Sequence, residues 1–224
     1  MLLAQTQFRP ASHASYGYVR TILECCSNTR CIPMIGPSIP WVQPKWELLD
    51  PISSDEVAKA LSRIKDGAPG PDSRKLKDAR ALPSDQFAGH FNLWLSAGYL
   101  PSALRQGETV LLPKEEGTGA PEKFRPITIS DIVVKCFHRI LAQRMQANLP
   151  FSSCQKAFRQ WDGLADSVWF IQGVIRQHQD DLRPLNIAFV DVKKAFYSIS
   201  HQSILEAAAR LGEPPPFSSY LREL

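Results

Sequence analysis

The chain has 224 residues, 44% of them hydrophobic and 21% charged, which is enough apolar material for a substantial core and excludes the disordered and fibrous classes. Its 26 basic against 22 acidic residues leave a net charge of +4, a balance that permits a polyanionic partner without demanding one. Cys25, Cys26, Cys31, Cys136 and Cys154 form no C-x-x-C pair and have no histidine at a zinc-binding spacing, and no window approaches the roughly 20 apolar residues of a membrane span.

Residues 1–45 carry repeated proline and no sustained period, so an irregular N-terminal arm is expected there, with Trp41 and Trp46 anchoring its end. The opening apolar stretch is too short for a signal peptide. An intracellular chain, nuclear or cytoplasmic and without a membrane partner, is the expectation.

Ser53 followed three residues later by Glu56 forms a capping box, and Val57, Leu61 and Ile64 then share one helical face. "GAPGPD" after Asp66 reads as a tight turn, with Gly67, Pro69, Gly70 and Pro71 shaping it. A second helix follows Ser84, with Phe87, Phe91, Trp94 and Leu95 on its apolar stripe and Gly98 at its end. "ETVLLPK" has strand character to Leu112, and "EEGTGAPEK" is an exposed loop before "FRPITIS".

From Ser130 to about Met145 the helical period returns through Ile132, Cys136, Ile140 and Arg144, each four apart. Leu164, Val168, Ile171 and Ile175 predict a further helix from Gly163 to about His178. The apolar run of "LNIAFVDVKKAFYSIS", Leu185 to Val190, reads as a buried strand, and "HQSILEAAARLG" as a helix closed by Gly212. Helices clustered early with isolated strands late predict an α+β fold. The adjacent Asp180 and Asp181 lie in "QDDLRP", a surface loop and not a catalytic pair.

Asp191, at the end of the apolar run, admits two readings on its own. It is a cap or turn residue, or it is an oxygen ligand for a hard divalent cation projecting from a rigid element. The five histidines form no spaced ligand set.

Several blocks, in order, give the chain a relative. "IKDGAPGPD" (Ile64–Asp72), "VLLPKEEGTGAPEKFRPITISDIVVKCFHRILAQRM" (Val110–Met145), "CQKAFRQWDGLADSVWFIQGVI" (Cys154–Ile175) and "AFVDVKKAFYSISHQSIL" (Ala188–Leu205) together resemble the reverse transcriptases of non-LTR, LINE-type retrotransposons, nearest the lineage that inserts into ribosomal DNA. The resemblance runs over about residues 46–220. It implies a partial right-hand polymerase, helix-rich with a few strands. The expected layout is a partial reverse transcriptase domain over 46–224, with fingers over about 46–180 and early palm with motif A over about 181–224.

By that resemblance Asp191 is the first catalytic aspartate and a ligand of both magnesium ions in two-metal nucleotidyl transfer, with manganese able to substitute. Lys114, Arg125, Val192 and Phe196 become nucleotide-binding positions. Lys114 and Arg125 grip the triphosphate of the dNTP as a point charge and a planar fork, and Phe196 rejects a 2'-hydroxyl. Lys65, Arg74, Lys75 and Arg159 are expected to touch the RNA template or DNA primer, with Arg63, Lys77 and Arg80 adding to the charge around the turn.

The family pattern is broken at Tyr197, where an acid is usual, and at Ala157, where glycine is usual. After Asp191 the remaining acids are Glu206, Glu213 and Glu223, so the family's second "A-D-D" block is missing. The expectations that follow are a chain inactive by itself, an exposed sheet edge at Ile187–Val190, and, as the alternative, a retrotransposon-derived nucleic-acid-binding or interaction module without catalysis.

Overall fold

The computed structural model describes residues 42–116, 123–152, 154–159, 161–192 and 195–224. The expected arm therefore lies outside the described residues except for its last few positions. Two units emerge. One takes the described residues of Pro40–Pro150 and Leu205–Leu224, the other those of Phe151–Ile204. Among the described residues no helix is long and apolar enough to cross a membrane.

The first unit is built from helices around an aromatic centre. Its chain enters at residues 42–45, where the Lys45 N–H donates to the Gly212 carbonyl at 2.7 Å. A single 3-10 turn, Trp46–Leu49, follows. Trp46 does not anchor this entry. Its ring is exposed, and Leu48, two residues on, is fully buried instead, because a turn of three residues points alternate side chains away from each other.

Helix α1 (Ser54–Arg63) opens with the expected reciprocal box, the Ser53 hydroxyl accepting from the Glu56 N–H at 3.2 Å and the Glu56 carboxylate from the Ser53 N–H at 3.1 Å. It buries Val57, Ala60 and Leu61. A short helix, α2 (Leu76–Ala81), starts where the Asp78 carboxylate accepts from the Lys75 N–H at 2.9 Å, and buries Leu76 and Ala79. Helix α3 (Ser84–Ala97) puts Phe87, Ala88, Phe91, Trp94 and Leu95 inside. The Asn92 amide holds the backbone of Ile52 at both ends, accepting from its N–H at 2.6 Å and donating to its carbonyl at 2.9 Å.

Gly98 ends α3 in the left-handed conformation, φ 60°. A side chain there would crowd the Pro216 carbonyl at 2.9 Å and Ser219 at 3.2 Å. Gly98→Ala is therefore expected to lower stability by about 1–2 kcal/mol, read as a shifted urea midpoint at unchanged slope.

Strands β1 (Glu108–Pro113) and β2 (Phe124–Ile129) pair antiparallel as a two-stranded sheet. Helix α4 (Ile132–Asn148) then buries Ile132, Val134, Cys136, Phe137, Ile140 and Leu141. Phe137 sits at the middle of the core, with ring centroids 5.0 Å from Phe91, 5.5 Å from Trp94 and 5.4 Å from Tyr220. Tyr220 belongs to α8 (Pro215–Glu223), a helix that begins on Pro215 and buries Phe217 and Tyr220. This helix lies outside the elements expected from the sequence, although Pro at the first helical position is a start signal. The Tyr220 hydroxyl and His138 Nε2 share a 2.7 Å hydrogen bond. Burial lowers the His138 pKa and raises that of Tyr220, favouring the neutral form of each.

The second unit holds α5 (Gly163–Asp180), whose first turn is capped by the Asp162 carboxylate accepting from the Ala165 N–H at 3.0 Å. The helix forms as the spacing predicts, but none of its residues is buried and Leu164, Val168 and Ile175 are exposed. The period fixes which residues share a face, whereas burial of that face needs a covering surface. A one-turn helix, α6 (Ala195–Ser198), follows, and α7 (His201–Arg210) starts in this unit, its residues from Leu205 on being counted with the first. Helix α7 is capped by the Ser200 hydroxyl, which accepts from the Ser203 N–H at 3.1 Å, and Gly212 beyond it has φ 91°. The mixed helices and small sheet make an α+β arrangement.

Candidate functional site

Residues Leu185–Val192 are not a strand. Phe189 and Val190 are about four-fifths exposed and Ile187 and Val192 about half. The described strands, β1 and β2, pair with each other, and a strand needs a hydrogen-bonding neighbour to persist. The expected buried strand, and with it the sheet edge at Ile187–Val190, is therefore absent here. Asp191 is solvent-exposed within this segment. Lys193 and Lys194 lie outside the described residues, as does the side chain of Tyr197.

Phe196 projects from α6 with 78% of its surface exposed. Its ring meets Phe158 edge to face, centroids 6.3 Å apart at 75°. Phe158 precedes Arg159, whose guanidinium lies 5.3 Å from the Phe151 ring centroid and 4.6 Å from that of Trp161. The second unit thus brings Phe196 and Arg159 into one neighbourhood through Phe158. The unusual backbone turn in "QKAFR" falls on Phe158, φ 59°, and not on Ala157.

In the first unit the hairpin register does the positioning. Leu112 stands opposite Arg125, and the Lys114 N–H donates to the Lys123 carbonyl at 2.8 Å, extending the ladder one step. Directly opposed residues share a face and the face repeats every second residue. Lys114 and Arg125 therefore lie diagonally on one side of the hairpin, together with Lys123, which is paired with Glu115 at 2.7 Å. Two cations at that spacing can bind one polyanionic group.

The basic turn divides into two kinds of residue. Lys65, Arg74 and Lys75 are exposed, and Arg74 is only loosely associated with Asp72 at 3.9 Å. Arg80 is committed to structure. Its guanidinium donates to the carbonyls of Leu61 (2.9 Å), Ser62 (3.2 Å) and Ile64 (3.2 Å) at the end of α1. Its Nε and Nη2 are engaged at the helix end, which ties this side chain to the fold.

Behind the turn is Asp131, 2% exposed, which the sequence did not mark. Its carboxylate accepts from the Asp72 N–H at 3.1 Å, and Gly70 packs so tightly on it that any side chain at Gly70 would collide. Burial pushes its pKa up, and the neighbouring Asp72 carboxylate adds to that against the lowering by the Asp72 N–H. Asp131 fixes "GAPGPD" to the start of α4, which is how those glycines and prolines act as a turn.

Among the described residues no group of three His, Cys, Asp or Glu side chains could hold a metal ion. Asp191 offers one carboxylate, and a two-ion site needs oxygen ligands from more than one residue. The donor set seen here does not by itself make a divalent-cation site.

A sequence model of reverse transcriptase (RNA-dependent DNA polymerase) matches residues 112–224, a span that includes Lys114, Arg125, Arg159, Asp191 and Phe196. The chain is 35% identical over 171 residues to the retrovirus-related Pol polyprotein from type-1 retrotransposable element R2 of Nasonia vitripennis, which covers 76% of this chain and 16% of that protein. It is 36% identical over 155 residues to the corresponding polyprotein from type-2 retrotransposable element R2DM of Drosophila melanogaster, covering 69% of this chain and 15% of that protein. The R2 polyprotein of Popillia japonica is 31% identical over 172 residues, covering 76% and 24%. The chain thus spans less than a quarter of the length of these relatives.

Proposed function

The chain belongs to the reverse transcriptase (RNA-dependent DNA polymerase) family, with R2 retrotransposable elements among its relatives, and from that premise we propose that it supplies the fingers and early palm of a non-LTR retrotransposon polymerase. The reaction is Mg-dependent nucleotidyl transfer from a dNTP to a DNA primer on an RNA template, target-primed in the complete protein. Reverse transcriptases use divalent metal ions; in this assignment Asp191 is one ligand, and the rest of the set comes from beyond the described residues.

The observation that carries the proposal is the hairpin register, which gives Lys114 and Arg125 one face within the span matched to the family. A point charge and a planar fork suit a triphosphate, and these are the two cations that the motif order assigns to it. Phe196, exposed on its one-turn helix, is assigned to the sugar, and Val192 lines the nucleotide. Lys65, Arg74 and Lys75 are assigned to the nucleic-acid backbone.

By itself the chain is expected to have little or no polymerase activity, since one carboxylate does not make the metal site. Incubated with an annealed RNA template and DNA primer, dNTPs and magnesium, it should extend no primer. Template-dependent extension that Asp191→Asn abolishes would overturn that expectation.

The exposed cations of the turn favour a second reading, a nucleic-acid-binding or interaction module without catalysis. It predicts RNA affinity that falls steeply with salt, and a titration indifferent to salt would remove it.

A further inference from the structure

The described residues of the loop 154–161 hold an arrangement of which the assignments above use only Arg159. Phe158 adopts φ 59°, a left-handed conformation that is an outlier for a bulky side chain, and 79% of its surface is exposed. Burial therefore does not account for the strain, and strain of this kind gathers where a chain holds a group for use.

Its neighbour carries an unmet charge. The Arg159 guanidinium lies over the rings of both Phe151 and Trp161, and its Nε and Nη1 are buried there without a hydrogen-bond partner. Among the described residues no carboxylate pairs with it.

The loop is held in shape from below. Gly163 packs against the Lys156 backbone so closely that a side chain would collide, Lys156 pairs with Asp166 at 3.3 Å, and the Gly163 N–H donates to the Trp161 carbonyl at 2.9 Å.

We propose that Phe158, Arg159 and Trp161, with Phe196 beside them, form a stacking platform for unpaired bases of single-stranded nucleic acid. Exposed aromatic faces take bases of any sequence, and a guanidinium among them both polarises the rings and attracts the backbone phosphate. An apolar protein surface is the poorer occupant, because it brings no negative charge to the uncompensated guanidinium, whereas a strand brings phosphates. The platform rests on the nucleic-acid assignment made above and deepens it, naming the strand state that this loop selects.

The test uses the 224-residue chain and a short fluorescent oligoribonucleotide, with binding followed by anisotropy at several salt concentrations. Phe158→Gly suits the left-handed backbone and so keeps the loop while removing the ring. It should weaken single-stranded binding roughly tenfold without changing the salt slope. Arg159→Ala should lower the magnitude of that slope by about 0.7, the share of one phosphate on a single strand. A duplex of the same sequence should bind the Phe158→Gly variant and the parent chain equally. If the parent chain binds and Phe158→Gly binds as well as it does, the platform is wrong while the nucleic-acid assignment stands. If the parent chain binds no RNA, the nucleic-acid assignment falls and takes the platform with it.

Discussion

Arg144→Ala is expected to destabilise the first unit by about 2–4 kcal/mol. The side chain is 10% exposed and its donors are committed. Nε and Nη2 fork onto the Glu56 carboxylate at 3.0 and 2.8 Å, Nη1 donates to the carbonyls of Leu48 (3.3 Å) and Asp50, and Nη2 to that of Pro51 (3.1 Å). Glu56 is itself about a third exposed, so the charge pair alone supplies a minor share. Most of the loss comes from carbonyls left without a donor around the 3-10 turn. Arg144→Lys should recover less than half of it, because an ammonium cannot span a carboxylate and three carbonyls at once. Urea unfolding followed by tryptophan fluorescence measures both, and a lysine variant as stable as the parent would show that charge and not the fork is what matters.

Stability should also decline as pH rises from 4.5 to about 7, and the cause is Glu213. The residue is 4% exposed, one carboxylate oxygen accepts from the Ser218 hydroxyl at 2.9 Å, and the other has no partner. Burial pushes its pKa up to about 7 from 4.5, against the lowering by Ser218. The folded state therefore holds the proton more tightly than the unfolded state does. Its contribution is complete below pH 4.5 and is lost as pH passes through 7, a change of about 3 kcal/mol. His138 acts with the opposite sign. Its lowered pKa leaves stability intact above the ordinary value of 6.5 and removes it as pH falls below. Glu213→Gln should flatten the decline between pH 5 and 8 and leave the acid limb unchanged. Parallel pH profiles for the variant and the parent chain would count against a buried Glu213 carboxyl.

The features legible in the sequence are those that local chemistry decides. Ser53 and Glu56 are three residues apart and cap each other. Phe87, Phe91, Trp94 and Leu95 repeat at helical spacing, and Gly98 and Gly212 do adopt positive φ at helix ends. What escaped depends on partners far along the chain. Arg144 continues an apolar stripe by period, yet its role comes from carbonyls more than 90 residues earlier. Asp131 carries no local signal, because its partner is 59 residues away. Arg80 counted as a surface cation until the end of α1 appeared beside it. The run Leu185–Val190 has strand composition, but composition supplies no hydrogen-bonding neighbour. For the site, the order of motifs marked Lys114, Arg125, Asp191 and Phe196, and the hairpin register shows why the first two share a face. Nothing in the sequence marked the backbone of Phe158, because no residue type signals an aromatic in the left-handed region.

The first unit is discontinuous, and that shapes how it can be made. Its core around Phe137 is closed by Phe217 and Tyr220, which follow the entire second unit along the chain. A ribosome delivers residues in order, with earlier segments folding first, so α1, α3 and α4 emerge with Trp94 and Phe137 uncovered and wait for α8. Closing that long loop carries an entropic cost, and the interval is one in which the nascent aromatic centre is open to chaperones and to other chains.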